Sequence, residues 1–153
     1  MNMNLLGHRR LHRPATRSGS ATCAERISAD FLIDGQSLLE MLVESAGGHS
    51  DFMGCFVSGY AKECERMSKM LLDIPPVGGK RVLLYICPEC GDVACGAYSV
   101  LVQRELESYR WESFAYQTSE SDLMTVETLG PFIFNANMYK DSVLAASAID
   151  GAK

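Results

Sequence analysis

The apolar and polar positions divide this chain into an unpatterned start and a patterned remainder. Residues 29–34 (A-D-F-L-I-D) form a short apolar run closed by the turn signal Asp34-Gly35, and predict a strand. Ser37-Leu38-Leu39-Glu40 has capping-box spacing. Leu38, Leu42 and Ala46, with Leu39 and Val43 beside them, lay an apolar stripe along the helix that follows, and Gly47-Gly48 end it. His49–Gly59 reads as a loop with a short strand at Met53–Val57. A second helix is expected over Tyr60–Leu72, with Tyr60, Cys64, Met67 and Leu71 on one face. Pro75-Pro76 terminate it.

The middle of the chain reads as a meander, about residues 81–117. Arg81–Cys87 is strongly strand-like, as is Cys95–Arg104. In the latter, Tyr98, Val100 and Val102 alternate with Ala97, Ser99 and Leu101. Both sets are largely apolar, which predicts an inner strand covered on both faces. Tyr109–Gln117 alternates apolar and polar residues and gives a third strand. Short connections favour antiparallel pairing. Thr118–Leu129 is polar and reads as a loop. Phe132–Phe134 is a short strand, and Asn135 or Asn137 caps a last helix over about residues 136–149. The expected fold class is α+β, with an antiparallel β-meander packed against two or three helices.

Residues 1–22 show little periodicity and are rich in Arg, His and Ser. They read as a disordered basic tail, with residues 23–153 forming a single α+β domain. An acid-poor, Arg-rich start also resembles a transit peptide. Charge sharpens this division. Arg9, Arg10, Arg13 and Arg17 give residues 1–20 a charge of +4, whereas residues 21–153 carry −9, within a net charge of −5. An acidic body argues against a nucleic-acid surface there and for a basic protein partner. The longest apolar runs are too short to span a bilayer, so no membrane partner is expected. Oligomeric state is left open.

The candidate chemistry lies in the Cys-rich connection between the first two strands of the meander. Cys87-Pro88-Glu89-Cys90-Gly91 has the knuckle form in which two thiolates grip one tetrahedral metal, with Cys95 placed as a third ligand. A fourth ligand is missing locally. His49 and Cys55 are the first candidates for it, with Cys64 and Asp92 behind them. A zinc ribbon brings a second knuckle, which this chain lacks. The plain alternative is a tight turn packed with small reduced thiols. Thiol redox chemistry is the third reading, but a strand follows the motif where a thiolate-stabilising helix N-terminus would be needed. Six cysteines without a secretory signal fit a reducing, cytoplasmic compartment.

Nothing else in the chain outranks that run. His49-Ser50-Asp51 holds the residue types of a hydrolase triad, but consecutive residues do not converge on one point. No phosphate loop or dinucleotide fingerprint is present. Cys55 and Cys64 lie among apolar neighbours and read as core. Tyr98, Trp111, Phe114 and Tyr116 read as sheet packing, with an exposed docking strip as the sharper alternative.

The run Leu84–Ala97, together with Trp111-Glu112-Ser113-Phe114-Ala115-Tyr116 and Gly130-Pro131-Phe132-Ile133-Phe134, is similar to a family of small uncharacterised bacterial proteins. That family shares a Cys-Pro-Glu-Cys-Gly-Asp…Cys-Gly core, a Trp-bearing strand and a Gly-Pro-Phe segment before a final helix. The resemblance covers about residues 29–149 and implies a domain boundary without an activity. The resulting expectation is a small acidic, non-catalytic binding protein of the immunity or antitoxin kind with a structural cysteine site. The alternative is a zinc-binding or thiol-redox protein using Cys87, Cys90 and Cys95.

Overall fold

The structure is a computed structural model. It describes residues 3–13, 16–18, 21–23, 25–47, 52–86, 96–118 and 123–149, with 13, 16–18 and 21–23 described by backbone alone. The expected α+β architecture is present: antiparallel strands packed with three described helices. The meander consists of β7 (Lys80–Ile86), β8 (Ala97–Arg104) and β9 (Ser108–Gln117), paired in sequence order. β8 is buried on both faces over most of its length, in keeping with its two apolar sets.

The largest departure from expectation is at the N-terminus. Residues predicted to be a disordered tail form β1 (Leu6–Arg13), β2 (Thr16–Ser18) and β3 (Ala21–Cys23). β1 pairs along its whole length with β4 (Arg26–Ile33), and β2 pairs with β3. Apolar periodicity missed this strand because β1 has so few apolar positions. Its pairing comes from main-chain hydrogen bonds, which polar side chains do not oppose. Two of its charges are engaged within the fold. Arg9 meets Asp30 and Glu40, and Arg10 donates to the Ile149 carbonyl oxygen at 2.9 Å. That contact puts a cation beside the C-terminus of a helix, α3 (Ala136–Ser147), with no basic residue in its own last turn.

Local sequence accounts for the helix ends. Ser37, closing the two-residue β5 (Gln36–Ser37), caps α1 (Leu38–Ala46) by accepting the Glu40 amide, and Gly47 takes the left-handed conformation that ends it. Glu40 reaches to Arg9 at 3.0 Å. α2 (Ala61–Leu72) buries Cys64, Met67 and Leu71 as predicted, but Tyr60 lies outside the helix and is exposed. Asn135 caps α3 through the amides of Asn137 and Met138. The predicted loop after β9 contains a short exposed strand, β10 (Leu123–Thr125), paired with the end of β9.

The strand pairings close into a ring. β6 (Met53–Gly54) pairs with β7, and Phe56–Ser58 then hydrogen-bonds to residues 27–29 of β4. From β4 the circuit passes to β1. Asn4, just before β1, bridges in parallel to Phe134 of β11 (Phe132–Asn135), which pairs with β9. Gly54 is needed at the β6–β4 crossing, because a side chain there would overlap the Ala29 carbonyl oxygen. Trp111 is fully buried and meets Phe31 and Phe134 edge-on at ring-centre distances of 5.3 Å. Its indole N–H donates to the Tyr139 hydroxyl at 3.2 Å, which donates to the Leu71 carbonyl at 2.8 Å. This chain of bonds ties β9, α3 and α2 together.

Candidate functional site

Cys87, Cys90, Cys95, Asp92 and His49 lie outside the described residues. The strands that bracket the cysteine run are direct neighbours, with Ile86 opposite Ala97, so the run joins adjacent strands as predicted. Cys55 and Cys64 are described, the first half-buried and the second buried. Cys64 is buried in α2 and its sulfur lies 3.4 Å from the Val57 carbonyl oxygen as a donor. Cys55 packs against the same core. Burial pushes its thiol up to about 12, with nearby Cys64 pushing in the same direction. Both behave as the core residues their neighbours suggest. Among the described residues, no three His, Cys, Asp or Glu side chains gather closely enough to hold a metal.

The aromatic set does not form an exposed strip. Tyr98, Trp111 and Phe114 are buried and Tyr116 is half-buried. Tyr98 packs edge-on against Phe52 and Tyr116, at 5.0 and 5.4 Å, and its buried hydroxyl has no hydrogen-bond partner among the described residues.

The most concentrated polar chemistry among the described residues centres on Asp30. Its carboxylate is fully buried in β4. It receives the Ser37 hydroxyl at 2.6 Å, the Tyr85 hydroxyl at 2.6 Å, Arg9 Nε at 2.9 Å and the Leu39 amide at 3.3 Å. Burying a carboxylate is costly unless it is paired and hydrogen-bonded, and these donors meet both conditions. Each comes from a different part of the fold: β5, β7, β1 and α1. Burial first, and then the Asp30 charge, hold the Tyr85 phenol well above its ordinary range. The hydrogen bond to Asp30 is the largest cause raising the already basic Arg9 guanidinium further.

Arg9 also lies on an open hollow of about 550 Å3, which includes Gln36, Ser37, Glu40, Met41 and Glu44. The Asp30 carboxylate itself is saturated with donors from the fold, so it has no lone pair directed at an incoming group. Its work is to fasten α1 to the strands. The sequence did carry a signal for it: Asp30 interrupts an otherwise apolar run. Its partner Arg9 lies in a segment that periodicity left unassigned.

A second polar chain crosses the meander on the other face. Arg81 donates to Ser99 Oγ at 2.8 Å and to the Ser113 carbonyl and hydroxyl at 2.9 and 3.1 Å. Ser99 in turn donates to Gln117 Oε1. The β8–β9 register shifts between Ser99 and Leu101, and Ser113 has φ of 52°, so Arg81 braces a β-bulge. Desolvation lowers the Arg81 guanidinium from its ordinary value.

Comparison with protein-family models, curated proteins and solved structures found no match.

Proposed function

We propose that this chain is a small non-catalytic binding protein, of the immunity or antitoxin kind, whose acidic surface receives a basic protein partner. The cysteine run is read as a structural site. The observation that carries this reading is the saturation of Asp30. The most concentrated buried polar group among the described residues is used to hold the fold. Glu44, Asp73, Glu107, Glu127 and Asp141 support the reading from outside, because each is exposed and makes no ion pair among the described residues. Exposed acids of this kind steer a basic partner and set the salt dependence of its association.

Zinc suits the cysteine run chemically, since Cys87, Cys90 and Cys95 would bind it as thiolates with His49 or Cys55 as the fourth ligand. Two measurements test the reading. Capture from source-cell lysate should recover a basic protein, with recovery falling as ionic strength rises. Recovery that is unaffected by salt, or enriched in acidic proteins, would overturn the partner. Elemental analysis of reduced protein should find about one zinc per chain, lost on Cys90→Ser. Metal-free protein of unchanged stability would leave the run as a packed turn.

A further inference from the structure

β10 is the outermost strand of the larger sheet, with β9 as its neighbour on one side. Its register fixes which backbone groups are left over. The Val126 amide donates to the Phe114 carbonyl oxygen at 2.7 Å. Antiparallel residues alternate between pairs that exchange hydrogen bonds and pairs that do not. Met124 therefore turns its N–H and C=O toward β9, and Leu123 and Thr125 turn theirs away. Those outward groups have no partner among the described residues. All three side chains are exposed, Met124 by 67%, so no described element covers either face of the strand.

Sheet edges are ordinarily guarded by charge or proline. β1, at the end of the other sheet, carries Arg9, Arg10 and His12. Leu123-Met124-Thr125 has neither guard. An open hollow of about 380 Å3 adjoins it, lined by Thr125 with Glu112, Ser113, Glu127, Leu129 and Pro131. Glu112 is held by Arg110 at 2.8 Å. Glu127 is exposed and makes no ion pair among the described residues. In sequence, residues 118–131 contain three acids and no basic residue.

We propose that β10 is where the basic partner docks, by adding an extended segment as a further strand along Leu123–Thr125. The proposal rests on the basic-partner reading above and gives it a location. Main-chain groups supply the pairing, and side chains select the partner. Apolar side chains of the added strand meet Leu123 and Met124, and its Lys or Arg residues meet Glu127. A second copy of this chain is disfavoured as the occupant, because it brings its own acids to the same edge. The charges on β1 turn a basic strand away from the edge of the other sheet.

The test uses the full chain with the peptide acetyl-Lys-Val-Lys-Val-Lys-Val-Lys-amide as probe, followed by amide hydrogen exchange. The outward amides of Leu123 and Thr125 exchange freely without the peptide and should slow about tenfold or more at saturation. Binding should weaken as salt rises. Thr125→Pro deletes one outward donor at a position where an edge strand tolerates proline, and should weaken binding about five- to tenfold. Glu127→Lys should weaken it by a similar factor. Circular dichroism checks that both variants keep the fold. Absence of binding, binding without protection at Leu123 and Thr125, or equal binding of the Glu-Val counterpart would overturn the proposal. So would sedimentation showing a dimer that Thr125→Pro dissolves. Salt-sensitive capture of a basic protein that Thr125→Pro and Glu127→Lys leave undiminished would keep the partner reading and overturn this location for it.

Discussion

The Tyr85 hydroxyl donates to Asp30 Oδ1 at 2.6 Å while accepting the Phe31 amide at 3.1 Å. One phenol thus satisfies a buried carboxylate and a buried backbone N–H on β4. Tyr98, its cross-strand partner on β8, is also buried, but its hydroxyl has no partner among the described residues. Replacing each by Phe should therefore have opposite consequences. Tyr85→Phe leaves two buried groups short of a bond and should cost about 1–3 kcal/mol. Tyr98→Phe removes an unsatisfied hydroxyl and should be neutral or slightly stabilising. Urea unfolding of the two variants checks this. Equal losses would show that ring packing alone matters at both positions.

The strand assignment of the N-terminal segment has a direct consequence for truncation. A chain beginning at Cys23 would lose β1, the buried Leu6 and the Arg9 ion pairs. It should fail to give a cooperative unfolding transition. The milder Arg9→Met should cost about 1–3 kcal/mol, because it removes a charged donor from a buried acid. The half-exposed guanidinium keeps the loss below that of a fully buried pair. A truncated protein as stable as the full chain would show that β1 adds nothing to the fold.

Stability should fall at alkaline pH. Burial raises Cys55, Tyr85 and Tyr139 above their ordinary values. The native protein then holds protons that the unfolded chain has already released. The contribution of these groups is complete below about pH 9, where unfolded thiols and phenols begin to ionise. It is lost as pH rises, and for Cys55 the loss is complete once pH passes about 12. The midpoint of urea unfolding should decline across this window, and Cys55→Ala should make the decline shallower. A flat profile would mean these groups are solvated in the native state.

Gly54→Ala should be among the most damaging of single-methyl additions. The new Cβ would overlap the Ala29 carbonyl oxygen, a backbone atom with no rotamer through which to move away. Separation of β6 from β4 would then open the ring. Overpacking of this kind costs about 1–3 kcal/mol or more, measurable by thermal unfolding. Gly35→Ala is a useful contrast, because nothing lies within 4 Å of a Cβ there and only its positive φ of 86° opposes the change.

The elements legible in the sequence were those whose side chains carry a period or a cap. Ser37 and Gly47 terminate α1 where residue type alone placed them, Asn135 is the one of the two expected asparagines that caps α3, and β7, β8 and β9 follow their apolar runs. β1 was hidden because Gly7, His8, Arg9 and Arg10 carry no apolar alternation. Its strand character resides in backbone pairing to β4, which side-chain periodicity does not report. The Asp30 site was half legible for the same reason. A carboxylate inside A-D-F-L-I-D invites a partner, but nothing local indicates that Arg9, Ser37 and Tyr85 supply it. The candidate metal ligands Cys87, Cys90 and Cys95 were read from local spacing, and they lie outside the described residues.

The bridge between Asn4 and Phe134 gives the molecule a temporal order. The Asn4 amide donates to the Ile133 carbonyl oxygen, and the Ile133 amide returns a bond to the Asn4 side chain at 2.9 Å. On the ribosome, Asn4 emerges long before Ile133 and Phe134 exist. The hairpin of β1 and β4 can form early from local contacts, but β1 stays without its bridge at Asn4 until Phe134 has been made. Contacts of such long sequence separation slow folding. They also leave the earlier-made β1 exposed to wrong pairing during synthesis. The basic residues along that strand then have a second use, since like charges on neighbouring nascent chains keep unfinished edges apart.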